Sequence, residues 1–135
     1  MTDMANGALH GIKVLDLSRV LAGPSCTQVL ADLGAEVIKV ERPHIGDETR
    51  HWAPPKFSDD TSAYYATINR NKKSLTVDIT TDAGQAIIKK LAIDSDILVE
   101  NFKLWVVSGV LEAYISGTAV PYTNDFSGFF FTFSA

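Results

Sequence analysis

Residues 11–42 read GIKVLDLSRVLAGPSCTQVLADLGAEVIKVER, and this stretch decides the fold. Ile12, Val14, Leu15 and Leu17 form a short apolar run interrupted only by Lys13 and Asp16, as expected of a strand buried on both faces. Gly23-Pro24 then punctuates the chain, and Pro24 suits a first helical turn because its missing N–H would have no partner there. Cys26, Val29, Leu30 and Leu33 recur at i, i+3, i+4 and i+7, which predicts one apolar helix face. Gly34 stands where a helix end needs a residue tolerant of positive φ. Val37, Ile38 and Val40 make the second apolar run. Strand, helix and strand in this order predict a right-handed βαβ unit with parallel strands.

The chain has 135 residues, a length for one domain. Its net charge of −4 argues against nonspecific nucleic-acid binding, and one cysteine excludes a disulfide framework and suits a reducing compartment. No apolar run approaches the roughly 18 residues of a membrane span, so no membrane partner is expected. The opening MTDMANGALH has no arginine and no apolar core, so the expected compartment is the cytoplasm. Composition shifts near residue 103. All twelve Lys and Arg residues lie between Lys13 and Lys103, whereas residues 104–135 carry only Glu112 and Asp125 as charges and eight of the thirteen aromatics. That contrast divides the chain into a body, 9–103, and a distinct aromatic tail, 104–135.

Within the body, residues 43–63 are polar and turn-rich and read as a long loop, a length that is often functional. Tyr64–Ile68 is apolar but fits no period. Asn69–Lys73 reads as a basic turn before a third strand, Ser74–Ile79. Thr80 or Thr81 can cap the next helix, with Asp82 favourable at its positive end. Ala83, Ile87 and Leu91, with Ala86 and Ile88 beside them, predict its buried stripe; Asp96–Glu100 is a fourth strand. The result is an α/β fold, a doubly wound sheet of at least four strands.

The first βα turn, Leu21-Ala22-Gly23-Pro24-Ser25, lacks G-x-G-x-x-G, and Pro24 removes a phosphate-facing N–H. A dinucleotide site therefore has little support, although Glu41 ends the second strand where an acid would hold a ribose. No Walker loop, H-E-x-x-H, C-x-x-C or G-x-S-x-G occurs, and no metal is expected. Cys26 falls on the apolar helix face and reads as a small buried hydrophobe. His10, His44 and His51 lie in polar, loop-like surroundings. Arg70, Lys72 and Lys73 read as a wet turn or, beside Arg42, as a cationic rim for phosphates.

Residues GIKVLDLSRVLAGPSCTQVLADLGAEVIKVERPHIGDETR, then NRNKKSLTVDI, then DILVENF, resemble the N-terminal part of the family III CoA-transferases. The resemblance spans about Leu9 to Lys103, and NRNKKS leans toward the glutarate-type members. It implies an incomplete Rossmann-like doubly wound sheet, the N-terminal part of the family's large domain, in an interlocked homodimer. It implies coenzyme A as acyl-CoA substrate, a small carboxylic acid as acceptor, and an aspartate that attacks the thioester to give a mixed anhydride. Mitochondria join the cytoplasm as an expected compartment on the same ground.

Carried over by position, Val20, Leu21 and Ala22 would line the thioester end of CoA through their backbone. Leu21 replaces a glutamine of the formyl-CoA enzymes, which argues against formyl/oxalate specificity. Arg42 would meet the nucleotide part, where a guanidinium fork suits phosphate and adenine alike. Val77, Asn101 and Phe102 match positions around the cofactor, while Thr80 stands where relatives often carry a phosphate-binding lysine. After Lys103 the family's Pro-Gly and Gly-Leu-Gly-Tyr stretches give way to Leu104-Trp105-Val106-Val107-Ser108-Gly109. The nucleophilic aspartate belongs roughly 70 residues past Asn101, so no catalytic residue is expected among these 135. The expectation is a truncated homologue, inactive alone, or else a non-catalytic CoA-binding or regulatory module that pairs with full-length subunits. An open sheet edge and the uncharged Phe129–Phe133 segment predict poor solubility.

Overall fold

The structure is a computed structural model, and it describes residues 7–57, 61–101 and 132–133. Four parallel strands, β1 (Lys13–Asp16), β2 (Glu36–Glu41), β3 (Lys72–Thr76) and β4 (Ile97–Val99), form a sheet in the order β3-β2-β1-β4. A short strand, β5 (Thr132–Phe133), adds antiparallel to β4, with Phe133 opposite Ile97 and Thr132 opposite Leu98. The β4 edge, expected to be open, thus carries two residues of the aromatic tail; the rest of 104–135 lies outside the described residues.

The chain winds outward from β1 through α1 (Ala22–Asp32) to β2 and through α2 (Ala63–Asn69) to β3. It then crosses back through α3 (Asp82–Ile93) to β4 on the far flank of β1. Crossovers in opposite directions from β1, with α1 packed in one apolar layer and α3 in the other, confirm the doubly wound reading. Alternate strand residues feed two apolar layers. Val14, Val37 and Val99 pack with Ala31 and Ala35 on the α1 side. Leu15, Leu17, Val40 and Leu98 pack with Ile88 and Ala92 on the α3 side. Among the described residues no helix is long and apolar enough to cross a membrane.

In α1 and α3 the inward face is rotated from the one their apolar spacing predicted, although Leu30, Ile88 and Leu91 of the expected stripes still pack on the core. In α1 the buried residues are Gly23, Pro24, Thr27, Gln28 and Ala31, while Val29 and Leu33 are 53% and 45% exposed and Cys26 is half-buried. The cause is the closeness of the helix to β1. A Cβ on Gly23 would lie 2.2 Å from the Cβ of Ser18, so only small residues fit that interface. In α3 the Oγ1 of Thr81 accepts the N–H of Gly84 and fixes the first turn with Gly84 inward. Ile88 and Ala92 follow on that face, whereas Ala83, Ala86 and Ile87 are exposed.

Thr81, not Thr80, is therefore the cap; Thr80 donates its Oγ–H to Asp78, at 2.6 Å. The third strand starts at Lys72, two residues before the expected Ser74, and ends at Thr76. Asn69–Lys73 is only partly a wet turn, because the Lys72 ammonium finds a buried carboxylate and its stem can enter the sheet. Tyr64–Ile68, which fitted no period, lies in α2, where the Oγ of Ser62 accepts the N–H of Tyr65. The 43–63 loop folds back onto β2 and holds a short 3-10 helix, Glu48–His51, capped by Asp47.

Candidate functional site

Because the four strands are parallel, the segments that follow them share one edge of the sheet. These segments begin at Leu17, Arg42, Val77 and Glu100. Strand order reverses between β1 and β4, and open α/β sheets take ligands in the crevice at such a reversal. The Arg19-Val20-Leu21 loop occupies that place.

The loop is held from two sides. The N–H of Arg19 donates to Asn101 Oδ1 at 2.9 Å, and Asn101 Nδ2 donates to the Arg19 carbonyl at 2.7 Å. On the other flank the N–H of Val20 donates to Asp47 Oδ2 at 3.3 Å. Val20 has φ 70°, a conformation that costs a β-branched residue about 1–3 kcal/mol and persists only where its surroundings enforce it. Leu21 is the N-cap of α1 and makes no side-chain capping bond; it is 50% exposed, and Ala22 is exposed beside it.

Beneath the loop lies a layer of buried charge. Asp47 pairs with Lys39 at 2.9 Å, each side chain 1% exposed, and Lys39 Nζ also donates to the Ser18 carbonyl at 2.9 Å. Asp47 further accepts the N–H and Oγ–H of Thr49, at 3.0 and 2.7 Å. Burial alone would push its pKa up; the bonds from Thr49 and Lys39 outweigh this and hold it below the usual carboxylate range.

Glu41 is the second hub. Its carboxylate accepts Arg50 Nε at 2.6 Å, Arg50 Nη2 at 2.7 Å, the hydroxyls of Tyr65 and Ser74 at 2.7 Å each, and the N–H of Asp47 at 2.9 Å. Burial again opposes ionisation, yet the donors from Arg50, Tyr65, Ser74 and Asp47 bring its pKa down to about 2. Burial and the Glu41 carboxylate push the Tyr65 hydroxyl well above its ordinary range, so it stays a donor. Gly46 (φ 70°) makes the turn into this hub; a Cβ there would lie 2.8 Å from Glu41 Oε2. A third pair joins Lys72 to Asp16 at 3.0 Å, the two side chains 2% and 0% exposed. Asp16 also accepts Ser18 Oγ and Thr27 Oγ1, and burial brings the Lys72 pKa down to about 8 against the pull of Asp16.

The residues expected to meet a cofactor fall as follows. Val20, Leu21 and Ala22 lie together at the strand reversal, and Asn101 grips the same loop. Arg42 is the first residue after β2, 46% exposed, with Nη2 3.4 Å from Glu48 Oε1. Val77 follows β3, but its side chain is buried in the α3-side apolar layer. Phe102 lies outside the described residues.

Two alternatives raised by the sequence do not survive. Arg42 leaves the carboxyl end of β2, while Arg70, Lys72 and Lys73 stand at the amino end of β3, on the opposite edge of the parallel sheet. Arg70 pairs there with Asp32 at 2.6 Å and Lys73 with Glu36 at 2.6 Å, so no cationic rim forms with Arg42. Glu41 cannot hold a ribose, since its oxygens are filled from within. Cys26 is half-buried, and burial, then Asp16, push its thiol pKa up; His10, His44 and His51 are exposed.

Sequence reasoning missed Lys39 and Asp47. A usable signal was present: a lysine inside an apolar strand buried on both faces requires a buried acid partner.

Comparison with known proteins bears on the same residues. Residues 9–112 match the family model described as CoA-transferase family III. The succinyl-CoA:glutarate CoA-transferase of Homo sapiens is 57% identical over 102 residues, 75% of this chain and 23% of that protein. The formyl-CoA:oxalate CoA-transferase of Escherichia coli is 49% identical over 94 residues, 70% of this chain and 22% of that protein. The crystal structure of a CAIB/BAIF family protein from Brucella suis superposes with a TM-score of 0.72 at 44% identity, covering 78% of this chain and 28% of that one. The chain thus spans about a quarter of the length of the relatives it matches.

Proposed function

Since this chain belongs to the family III CoA-transferases, we propose that its carboxyl sheet edge is the CoA-binding part of such an enzyme. In this reading the backbone of Val20, Leu21 and Ala22 lines the thioester end and Arg42 meets the nucleotide. Asn101 acts by gripping the Arg19 peptide. Val77, whose side chain is buried, serves the site as packing beneath it, and Phe102, outside the described residues, is proposed as a cofactor contact on the family resemblance alone. The observation that supports the proposal is the Arg19–Ala22 loop at the strand reversal, gripped by Asn101, with Arg42 on the same edge of the sheet, all within the family-matched region.

The proposed reaction passes CoA from an acyl-CoA to a carboxylic acid through an aspartyl anhydride, as an interlocked homodimer. The similarity to the human succinyl-CoA:glutarate enzyme makes succinyl-CoA and glutarate the pair to test first. The two aspartates beside the loop are unsuited to nucleophilic attack. Asp16 and Asp47 are 0% and 1% exposed, and both are engaged by lysine. That observation favours a second reading for the chain by itself, a CoA-binding module that pairs with full-length subunits.

Calorimetric titration of the 135-residue chain with CoA tests the binding site. Saturable heat that Arg42→Ala weakens supports it, and the absence of both heat and thermal shift refutes it. A transfer assay with succinyl-CoA and glutarate separates the two readings: turnover by the chain alone would rule out the non-catalytic module.

A further inference from the structure

Arg19 and Arg42 leave the adjacent strands β1 and β2 and reach one atom. Glu48 Oε1 lies 2.9 Å from Arg19 Nη1 and 3.4 Å from Arg42 Nη2, with the three side chains 37%, 46% and 46% exposed. Two guanidinium groups therefore converge on a single carboxylate oxygen beside the Val20 loop. Asp47 pairs with Lys39, and Glu41 with Arg50.

An exposed ion pair of this kind contributes about 0–1 kcal/mol, so Glu48 holds the arginines only weakly. A phosphate group brings more charge and more acceptor oxygens, and the planar fork of arginine matches them. The backbone from which the Arg19 side chain springs is already fixed, because Asn101 holds both its N–H and its carbonyl. Little ordering is left to be done when a ligand arrives. Glu48 can swing away freely, since its neighbour Asp47, not Glu48 itself, anchors the 3-10 turn.

Resting on the CoA-binding reading, we propose that Arg19 joins Arg42 as the receptor for a phosphate group of the CoA nucleotide, and that Glu48 occupies this receptor until the ligand displaces it. Glu48 is then an internal competitor. Its removal strengthens binding, which no purely structural role would do.

The experiment titrates the full chain and its Arg19→Ala and Glu48→Gln variants with CoA, with pantetheine, which lacks the nucleotide, and with inorganic pyrophosphate. Arg19→Ala is expected to weaken CoA binding about 10-fold, to flatten its salt dependence, and to leave pantetheine binding unchanged. Glu48→Gln is expected to tighten CoA and pyrophosphate several-fold. Equal losses for CoA and pantetheine in Arg19→Ala, or unchanged or weaker CoA binding in Glu48→Gln, would overturn the inference while leaving the CoA site standing. Pyrophosphate binding that depends on Arg19, without CoA binding, would uphold the receptor and refute the CoA reading. Binding of neither ligand would sink both.

Discussion

Replacing Glu41 by Gln tests whether the layer under the loop is held by charge. The substitution keeps the shape of the side chain and removes one negative charge at a position 4% exposed. It also turns an amide N–H₂ toward Arg50 and Tyr65, both of which are donors in the native arrangement. The magnitude follows from the carboxyl pKa, which falls from an ordinary 4.5 to about 2 in the folded chain. That difference corresponds to about 3 kcal/mol in favour of the folded, ionised state. Removing one partner of a buried pair costs about 3–5 kcal/mol in general. Arg50 is 37% exposed and can take up water when it loses Glu41, so the lower end of that range applies.

The sign with pH is fixed by the direction of the shift. A carboxylate with a depressed folded pKa contributes stability that is complete above the unfolded value and is lost as pH falls through the folded value. The stability gap between wild type and Glu41→Gln is therefore about 3 kcal/mol at pH 7 and closes between pH 4.5 and about 2. Asp47, also held low, titrates in both proteins, so the comparison isolates Glu41. Urea unfolding of both chains at pH 7, 5, 4 and 3 measures the gap. A gap under about 1 kcal/mol at pH 7, or one that stays constant down to pH 3, would refute the reasoning.

Three further outcomes are expected. Asn101→Ala strips both partners from the Arg19 peptide, so stability falls by about 1–2 kcal/mol and CoA affinity by about 10-fold; unchanged CoA affinity in a destabilised variant would reduce Asn101 to a structural role. Gly23→Ala places a methyl 2.2 Å from Ser18 Cβ and destabilises the chain by about 1–3 kcal/mol despite better helix propensity, while Ser18→Gly in the same chain restores part of the loss by denaturation. Burial brings the Lys72 pKa down to about 8, below the unfolded lysine value, so this group makes stability rise between about pH 8 and 10.5; an NMR titration of its ε-carbon with a midpoint above 10 would show instead that the Asp16 charge outweighs burial.

Element order was legible in the sequence because strands and helices announce themselves by period and punctuation. The apolar run Ile12–Leu17, the Gly23-Pro24 break and Gly34 place β1, α1 and β2 where they occur. Helix faces were not legible, because contact with β1 and its polar end sets them, not the longest apolar stripe. Thr27 is buried because Asp16 takes its hydroxyl, and Val29 faces outward as a consequence of that rotation. The start of β3 was missed for a related reason: Lys72 and Lys73 look like a solvated turn until their acids, Asp16 and Glu36, are located. The supposed cationic rim was a different kind of error. Parallel pairing, already implied by the βαβ reading, puts the end of β2 and the start of β3 on opposite edges. Glu41 was noticed for its position, but its partners come from residues 47, 50, 65 and 74, a spread that no local spacing reveals.

The loop at the strand reversal has no neighbouring strand to satisfy its backbone, and buried peptide groups must find partners somewhere. Asn101 and Asp47 take that role, and the three bonds they make to Arg19 and Val20 contribute about 0.5–1.5 kcal/mol each. Together they match the cost of holding Val20 at φ 70°. The left-handed turn is therefore in place before any ligand binds. Asp47 in turn is tied to β2 through Lys39, and its own N–H is tied to Glu41. Glu41 links β2 to Ser74 of β3 and to Tyr65 of α2. A disturbance in α2 or β3 thus reaches Val20 through two buried carboxylates. Apolar packing in place of Asp47 would bury side chains but leave the Val20 N–H unpaired, so this buried carboxylate has a role that a larger core could not fill.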